Sequence, residues 1–246
     1  MASSLADGGG PGPAGSGGTV VVTGAASGMG AAVAELYGDR GWRVVGVDRD
    51  TAALETTGPA YPCTAVAADV RDRKGLTAAL APAIGDGVDV LVNAAGIYPT
   101  SSLAGFDEQL YRDIFDVNVL GTLNVTAVVA EHLRPGGAVV NFASVDAFAY
   151  SAEQLLYSAS KAAVVSLTKS LAIELAPRRV AVNAIAPGWV DTPGTRAGGR
   201  MEQGVQSVPM GRAARPDEIA QWVWTLAGGS YLTGETLVVA GGVLVR

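Results

Sequence analysis

Short, valine-rich apolar runs alternate with longer stretches of helical character along most of the chain. The apolar runs are almost free of polar residues, which is typical of strands whose two faces are both buried. We therefore predict strands at Thr19–Thr23, Arg43–Asp48, Thr64–Ala67, Val88–Asn93, Ala138–Phe142, Val180–Ala184 and Thr236–Val239.

The longer stretches between these runs are predicted to be helices: Gly28–Arg40, Arg71–Ala83, Asp107–Leu133, Glu153–Ala176 and Pro216–Leu226. Repeated strand–helix alternation predicts a parallel sheet covered by helices on both faces, and right-handed crossovers make such a sheet doubly wound. The predicted fold class is therefore α/β, a doubly wound, Rossmann-type parallel sheet of seven strands in a single domain of residues 19–246.

Two segments fall outside the alternation. Residues 1–18 are rich in Gly, Pro, Ala and Ser and lack the basic and apolar regions of a signal peptide, so we expect a flexible tail. Residues 188–212 form a long connection interrupted by glycine and proline, and we expect a substrate lid there. No apolar run reaches the length that we expect of a membrane-spanning helix, so no membrane partner is predicted.

Composition narrows the classes of function. Hydrophobic residues make up 49% of the chain, enough for a large core, and the net charge is −6. The basic residues form no block, which argues against a nucleic-acid partner. The sequence has one cysteine, Cys63, and one histidine, His132, so neither an intrachain disulfide nor a Cys/His zinc site can form. We predict no metal, expect a cytoplasmic protein, and interpret His132 as an exposed residue near a helix end rather than a hydrolase base.

A glycine-rich turn, Thr23–Gly30, follows the first predicted strand directly and leads into the first helix. Glycines at such a place allow a close approach of the backbone to a pyrophosphate, and the helix N-terminus offers free N–H groups to the phosphates. The position between strand and helix favours dinucleotide binding over simple close packing. The residues of this turn predicted to contact the dinucleotide are Gly24, Ser27, Gly28, Met29 and Gly30.

Further cofactor contacts are expected at the carboxyl ends of the next strands, where ligands bind in open α/β sheets. Asp48 ends the second strand, where an acid accepts hydrogen bonds from the adenosine ribose and repels a 2′-phosphate. This favours NAD, although Arg49 is placed to meet a phosphate, and NADP is the less favoured alternative. The candidates after the third and fourth strands are Asp69, Val70, Asn93, Ala94 and Gly96.

Tyr157 and Lys161 are four residues apart in a predicted helix, and residues at this spacing project from one helix face. An ammonium group beside a phenol favours the phenolate, so we expect Lys161 to lower the pKa of Tyr157 toward neutrality. A solvated helix pair is the alternative for the same spacing. Together with the glycine turn, the pair indicates an oxidoreductase that moves a hydride and a proton.

Six motifs follow one another in an order that resembles the short-chain dehydrogenase/reductase family, in its compact branch. They are Thr23-Gly24-x-x-x-Gly28-x-Gly30, Asn93-Ala94-Ala95-Gly96, Asn118, Ser144, Tyr157-x-x-x-Lys161 and Pro187-Gly188. Each motif alone is weakly specific, whereas all of them in order, each at the expected strand or helix, form a strong signal.

The resemblance implies a catalytic tetrad of Asn118, Ser144, Tyr157 and Lys161. Tyr157 would be the general acid in ketone reduction and the base in alcohol oxidation, and Ser144 would hydrogen-bond the carbonyl oxygen. Lys161 would also hold the nicotinamide ribose, and Asn118 would hold a water that links the lysine to solvent. Taken singly, Ser144 could cap a strand end and Asn118 could mark a local helix kink. Contacts with the nicotinamide are implied for Pro187, Gly188, Val190 and Thr192.

Substrate specificity is expected to come from the later strand ends and the lid. The candidates are Tyr98, Asp146, Phe148, Tyr150, Gln154, Trp189 and Arg196. The segment between Ser144 and Tyr157 has no glycine, unlike many members of the family, which leaves the substrate open. Apolar positions on the two longest predicted helices either cover the sheet or form the interface of a homodimer or homotetramer, as the resemblance implies.

Three functions fit these features. The favoured one is an NAD-dependent oxidoreductase that transfers a hydride between nicotinamide and a secondary alcohol or ketone. The near alternative is a 3-oxoacyl-thioester reductase that uses NADP. The third is a non-catalytic dinucleotide-binding regulator on the same fold, against which the intact tetrad argues.

Overall fold

A single parallel sheet organises the protein, for which a computed structural model describes residues 17–50, 54, 63–149, 151–228 and 231–245. Its strands are β1 Thr19–Thr23, β2 Arg43–Asp48, β3 Cys63–Ala67, β4 Val88–Asn93, β5 Leu133–Phe142, β6 Ala181–Pro187 and β7 Thr236–Val239. They lie in the order β3-β2-β1-β4-β5-β6-β7 and every neighbouring pair is parallel. The predicted doubly wound, Rossmann-type fold is confirmed, whereas most of the predicted tail lies outside the described residues.

Helices cover both faces of the sheet. In the described part of the chain they are α1 Gly28–Asp39, α2 Arg73–Ile84, α3 Glu108–Phe115, α4 Thr122–Ala130, α5 Leu155–Leu175, α6 Pro193–Ala197, α7 Met201–Val205 and α8 Pro216–Ala227. Alternate residues of β1 point to opposite faces of the sheet, as the pleat of a strand requires. Val20 and Val22 pack with α1 and α8, whereas Val21 packs with α2, α4 and α5.

Three strands are longer than predicted because their neighbours extend the pairing, and β3 gains only Cys63, which pairs with Val44. β5 begins at Leu133 rather than Ala138, since Leu133 pairs with Val88 across an irregularity in the β4–β5 ladder. This early start is also why the preceding helix ends at Ala130 instead of Leu133. β6 continues to Pro187, which pairs with β7, so the strand carries the chain further toward the functional edge of the sheet.

The long helix predicted at 107–133 is interrupted by a π-helical turn, Asp116–Gly121, between α3 and α4. The run Glu108–Ala130 has 23 residues and a mean hydropathy of 1.3, long and apolar enough to cross a bilayer. The sequence-based expectation that no run reaches this length was therefore wrong. About 44% of its most apolar window is buried inside the protein, and α4 packs Val125 and Val129 into the core.

The predicted lid, 188–212, contains two short helices, α6 and α7, rather than irregular chain alone. The Thr192 hydroxyl accepts a hydrogen bond from the Thr195 N–H at 3.2 Å and caps α6. The ring of Trp189 lies so close to Gly204 that a Cβ there would overlap it. These contacts give the lid a defined shape over the carboxyl ends of β5 and β6.

Candidate active site

A groove of about 300 Å³ opens at the carboxyl ends of β1 and β4, where the strand order reverses. Its floor is the turn between β1 and α1. Gly24 has φ +67°, a left-handed conformation that favours glycine, and a Cβ on Gly30 would overlap the carbonyl oxygen of Gly24. The five turn residues predicted to bind a dinucleotide all line the groove: Gly24, Ser27, Gly28, Met29 and Gly30.

Asp48 stands on the wall of this groove at the end of β2. Its Oδ2 accepts a hydrogen bond from the Ala26 N–H at 3.1 Å, and its Oδ1 accepts one from the Asp50 N–H at 3.1 Å. The carboxylate therefore shapes the glycine turn as well as facing the groove. Arg49 lines the same end of the groove.

Asp69 and Val70 line the groove after β3, as predicted. The Arg71 guanidinium donates to both carboxyl oxygens of Asp69, with a shortest distance of 2.6 Å. That bond holds the pKa of Asp69 below its usual value. Arg71 also lines the groove, and the sequence analysis missed it although it follows the Asp69-Val70 pair directly.

Asn93, predicted to contact the cofactor, does not line the groove. Its side chain is buried and donates to the Thr126 hydroxyl at 3.0 Å and to the side-chain Oδ1 of Asn141 at 2.9 Å. Asn93 therefore links β4 to β5 and α4, because the pleat of the strand directs its amide into the protein interior and away from the groove. The following residues Ala94 and Gly96 do line the groove.

Tyr157 and Lys161 both face the groove from α5, as their spacing predicted. Lys161 is only 5% exposed, and its Nζ donates to the Phe142 carbonyl at 2.7 Å. Ser144, two residues beyond β5, is close enough to the Tyr157 phenol to offset part of the rise that burial causes in its pKa. Its hydroxyl also accepts from the Asp146 N–H at 3.1 Å, so the same serine caps the short turn that follows β5. The tyrosine, the serine and the lysine thus meet at one rim of the sheet.

Asn118 lies behind these groups, in the π turn, and is 1% exposed. Its amide bonds both the N–H and the carbonyl of Ile97 at 2.9 Å and donates to the Ser160 hydroxyl at 3.0 Å. Ser160 in turn donates to the Tyr157 carbonyl at 2.7 Å. Asn118 therefore joins the loop after β4 to the catalytic helix, and π turns are frequent at such sites.

The electrostatics of the pair differ from the sequence expectation. Burial raises the pKa of Tyr157 well above its ordinary value, and the hydrogen bond to Ser144 offsets that only in part. Burial lowers the pKa of Lys161 to about 8. The predicted lowering of the Tyr157 pKa by Lys161 is wrong for this structure, because the ammonium donates to a backbone carbonyl and desolvation dominates both groups. Tyr157 is consequently held as a neutral phenol near pH 7.

A second cavity, of about 480 Å³, adjoins the groove beneath the lid. Tyr157, Tyr98, Met29 and Thr192 line both spaces, so the phenol stands at their junction. The rings of Tyr98 and Tyr157 contact edge to face, with centroids 6.0 Å apart. A ligand in the cavity and a dinucleotide in the groove would therefore meet at Tyr157.

Comparison with known proteins places this geometry in a family. A family profile described as enoyl-(acyl carrier protein) reductase matches residues 24–244. The chain is 33% identical to 3-oxoacyl-(acyl-carrier-protein) reductase of Thermotoga maritima, covering 92% of this chain and 97% of that one. It is 36% identical to galactitol 2-dehydrogenase (L-tagatose-forming) of Cereibacter sphaeroides, covering 93% and 96%. The chain belongs to the short-chain dehydrogenase/reductase family.

Solved structures agree with this assignment. A dehydrogenase/reductase from Sinorhizobium meliloti 1021 has a TM-score of 0.86 and 32% identity to this chain, covering 94% of it and 96% of its own length. A short-chain dehydrogenase/reductase is an oxidoreductase that uses a nicotinamide dinucleotide. The protein is therefore an oxidoreductase of this family.

The groove fits a dinucleotide of this kind. At one end the glycine turn leaves room where side chains would otherwise stand, and Asp48 is ready to accept hydrogen bonds from a ribose. At the other end Lys161 and Tyr157 border the space, with Thr192 across from Gly28. The glycine turn would hold the pyrophosphate, and Asp48 would hold the adenosine ribose. Lys161, Tyr157 and Thr192 would hold the nicotinamide riboside.

Most of the predicted substrate residues line the second cavity, and so do all the predicted nicotinamide contacts. Of these contacts only Thr192 also lines the groove, so Pro187, Gly188 and Val190 lie outside it. Those that line the second cavity are Tyr98, Asp146, Gln154, Pro187, Gly188, Trp189, Val190 and Thr192. Phe148 is half exposed and outside the lining, and Tyr150 lies outside the described residues. Arg196 is also outside, since its guanidinium pairs with Asp191 at 2.5 and 2.8 Å.

The sequence analysis missed several polar residues that the lid brings to the cavity, namely Arg200, Gln203 and Ser207. Their position on and beside α7 carried no motif. Only the fold of the lid over the strand ends reveals them.

Proposed function

We propose that the protein is an NAD-dependent oxidoreductase that transfers a hydride between nicotinamide and a secondary alcohol or ketone. Tyr157 is the general acid in reduction and the general base in oxidation. The observation that carries this proposal is the position of Tyr157, which lines both the dinucleotide groove and the lidded cavity, with Ser144 beside it in the cavity wall.

Two hydroxyl groups would orient the reacting carbonyl oxygen. Ser144 and Tyr157 both line the second cavity, where their hydroxyl groups would donate to that oxygen and stabilise the negative charge that develops on it. When bound, the nicotinamide supplies or accepts the hydride. Tyr157 delivers the proton to the oxygen in reduction and removes it in oxidation. Because burial raises the Tyr157 pKa, we expect reduction to proceed readily at neutral pH and oxidation to require alkaline pH.

Lys161 and Asn118 would support this proton transfer. The buried Lys161 ammonium is next to the groove, where it would bond the nicotinamide ribose. Asn118 and Lys161 both lie next to Gly96, since a Cβ on that glycine would be 3.3 Å from Asn118 Oδ1 and 3.5 Å from Lys161 Nζ. We propose that Asn118 keeps this region open for a water that connects Lys161 to solvent.

The preference for NAD is supported by Asp48, whose carboxylate would repel a 2′-phosphate. A second candidate function, NADP-dependent 3-oxoacyl-thioester reduction, is favoured by a different observation. Arg49 and Arg71 both line the adenosine end of the groove and offer positive charge to a phosphate. Arg71 is however paired with Asp69, which reduces its availability. The similarity to an enzyme named as a 3-oxoacyl-(acyl-carrier-protein) reductase also supports this second candidate.

We further propose a homodimer or homotetramer in the cytoplasm, acting on a small molecule without a nucleic-acid or membrane partner. Exposed apolar side chains on α3, the π turn and α5 support the oligomer; they are Tyr111, Leu120, Leu155 and Ile173. Sedimentation of the purified protein across a concentration series tests this, with a monomer at every concentration as the contrary result.

The test of function is initial-rate absorbance of reduced nicotinamide, with NAD and NADP each paired with ketones, secondary alcohols and acetoacetyl-CoA. We expect turnover of simple ketones or alcohols with NAD. Preference for NADP and the thioester would establish the second candidate instead. Dinucleotide binding without turnover of any compound would favour the non-catalytic regulator.

A further inference from the structure

Two polar side chains that line the second cavity, Gln154 and Asp146, have no role in the proposed transfer of hydride and proton. Gln154 is 2% exposed and lines the cavity, yet its Nε2 has no hydrogen-bond partner among the described residues. A buried amide donor without an acceptor costs free energy that native proteins rarely leave uncompensated. An acceptor supplied by a ligand would satisfy it.

The backbone before Gln154 is bent to reach this position. Glu153 has φ +58°, in the left-handed region that favours glycine and that a glutamate occupies only under constraint. The bend is held by a bridge between Ser101 and Gln154, with the Ser101 N–H donating to the Glu153 carbonyl at 2.8 Å. The chain thus holds the glutamine at the cavity wall, three residues before the catalytic tyrosine.

Asp146 lines the same cavity and supplies a complementary acceptor. Its N–H donates to Ser144 Oγ at 3.1 Å, which places this residue next to the hydroxyl that would bind the reacting oxygen. Ser151 donates to its Oδ1, whereas its Oδ2 has no hydrogen-bond partner within the described part of the chain. Burial raises the pKa of this carboxyl, which a hydrogen-bond donor from a ligand would offset.

The charged residues of the cavity argue against a charged substrate. Burial raises the pKa of Asp146 and of both cavity tyrosines, and Arg200, which lines the cavity from the lid, offsets part of that rise. A substrate carboxylate drawn to Arg200 would also meet the Asp146 carboxylate. Glu153 also lines the cavity, so two carboxylates oppose an anionic substrate and Arg200 opposes a cationic one, which favours an uncharged substrate.

We propose that the substrate is a neutral α-hydroxy ketone, with the vicinal diol as its reduced form, whose second hydroxyl accepts from Gln154 and donates to Asp146. A hydroxyl group suits these two residues because it is both a donor and an acceptor. This inference rests on the proposed function. Reduction adds one hydride from the nicotinamide to the carbonyl carbon and one proton from Tyr157 to the oxygen, and leaves the second hydroxyl unchanged.

The experiment compares 1-hydroxybutan-2-one with butan-2-one and 2-oxobutanoate under the same conditions. We expect kcat/KM for the hydroxy ketone to exceed that for the plain ketone by about 10- to 100-fold, since a site built to bond a hydroxyl rejects analogues without it. Equal values for the two ketones, or the highest value for the 2-oxo acid, would overturn the inference. Absence of turnover with every compound and both cofactors would instead refute the proposed function.

Two variants locate the selectivity. In Gln154→Leu and in Asp146→Asn we expect the ratio of the two ketones to fall toward one, whereas the matched control Gln206→Leu, on the exposed side of the lid, retains the wild-type ratio. An unchanged ratio in both cavity variants contradicts the assignment. The wild-type comparison stands by itself if one variant does not fold.

Discussion

The dinucleotide groove and the lidded cavity meet at Tyr157, but different parts of the chain build them. Backbone shapes the groove: a glycine turn, strand ends and a helix N-terminus leave little choice of residue. Side chains shape the cavity, and several of them come from the lid. A backbone-built site suits a ligand common to a family, whereas a side-chain-built site is free to vary with the substrate.

The largest expected effect comes from removing the Tyr157 hydroxyl, which lies where the groove and the cavity meet. Tyr157→Phe deletes the proton donor while keeping the ring, so we expect kcat to fall by about 10²- to 10⁴-fold. Dinucleotide affinity, measured by fluorescence titration, should change little, because the groove is intact. Tyr111→Phe, on the exposed face of α3, is the matched control and should retain full turnover. Substantial activity in Tyr157→Phe would contradict the catalytic assignment.

A change confined to the groove should affect cofactor binding before anything else. Gly30→Ala places a Cβ against the Gly24 carbonyl, and we expect the dinucleotide Kd to rise on the order of 100-fold, since such overlap forces the backbone to shift. Gly105→Ala, in an exposed loop where the only atom near an added Cβ is the Ser102 hydroxyl oxygen at 3.2 Å, is the control. Wild-type affinity in Gly30→Ala would show that the turn does not receive the phosphates.

Cofactor choice is a finer test of the same region. Asp48→Ser removes the carboxylate that would face a 2′-phosphate, so we expect the NAD-to-NADP ratio of kcat/KM to fall by about 10- to 30-fold. Asp86→Ser, in an exposed turn, should leave the ratio unchanged. A wild-type enzyme that already prefers NADP would show that Arg49 and Arg71 outweigh Asp48.

The smallest expected effect concerns stability at the junction. Lys161 has a pKa of about 8 when folded against 10.5 ordinarily, so between these values the unfolded chain binds more protons. The Lys161 contribution to the free energy of unfolding therefore rises with pH across that window. Below pH 8 the buried ammonium destabilises the folded protein by its full amount.

Lys161→Met should accordingly be more stable than wild type at pH 7, by about 1–3 kcal/mol, and show a weaker rise toward alkaline pH. Loss of the Nζ bond to the Phe142 carbonyl offsets part of this gain. Chemical denaturation at several pH values measures the difference, with the exposed Lys169→Met on the same helix as control. An unchanged pH dependence in Lys161→Met would mean that the ammonium is hydrated in solution.

Much of the fold and of the groove could be predicted because local patterns specify them. Unbroken apolar runs identified the strands, and the glycine turn and Asp48 followed from their place at strand ends. Asn93 shows the limit of that reasoning, because the sequence places it at the end of β4 but does not say whether its side chain faces the groove or the interior. The pleat directs it to Thr126 and Asn141 inside the protein.

The sequence by itself determined the doubly wound topology and the Tyr157–Lys161 pair, because strand–helix alternation and helical spacing are short-range properties. Tertiary structure alone decided the rest. Burial, which depends on the whole fold, reversed the expected direction of the Tyr157 pKa. Lid packing, which joins segments distant in the chain, brought Arg200 to the cavity and left Arg196 paired outside it.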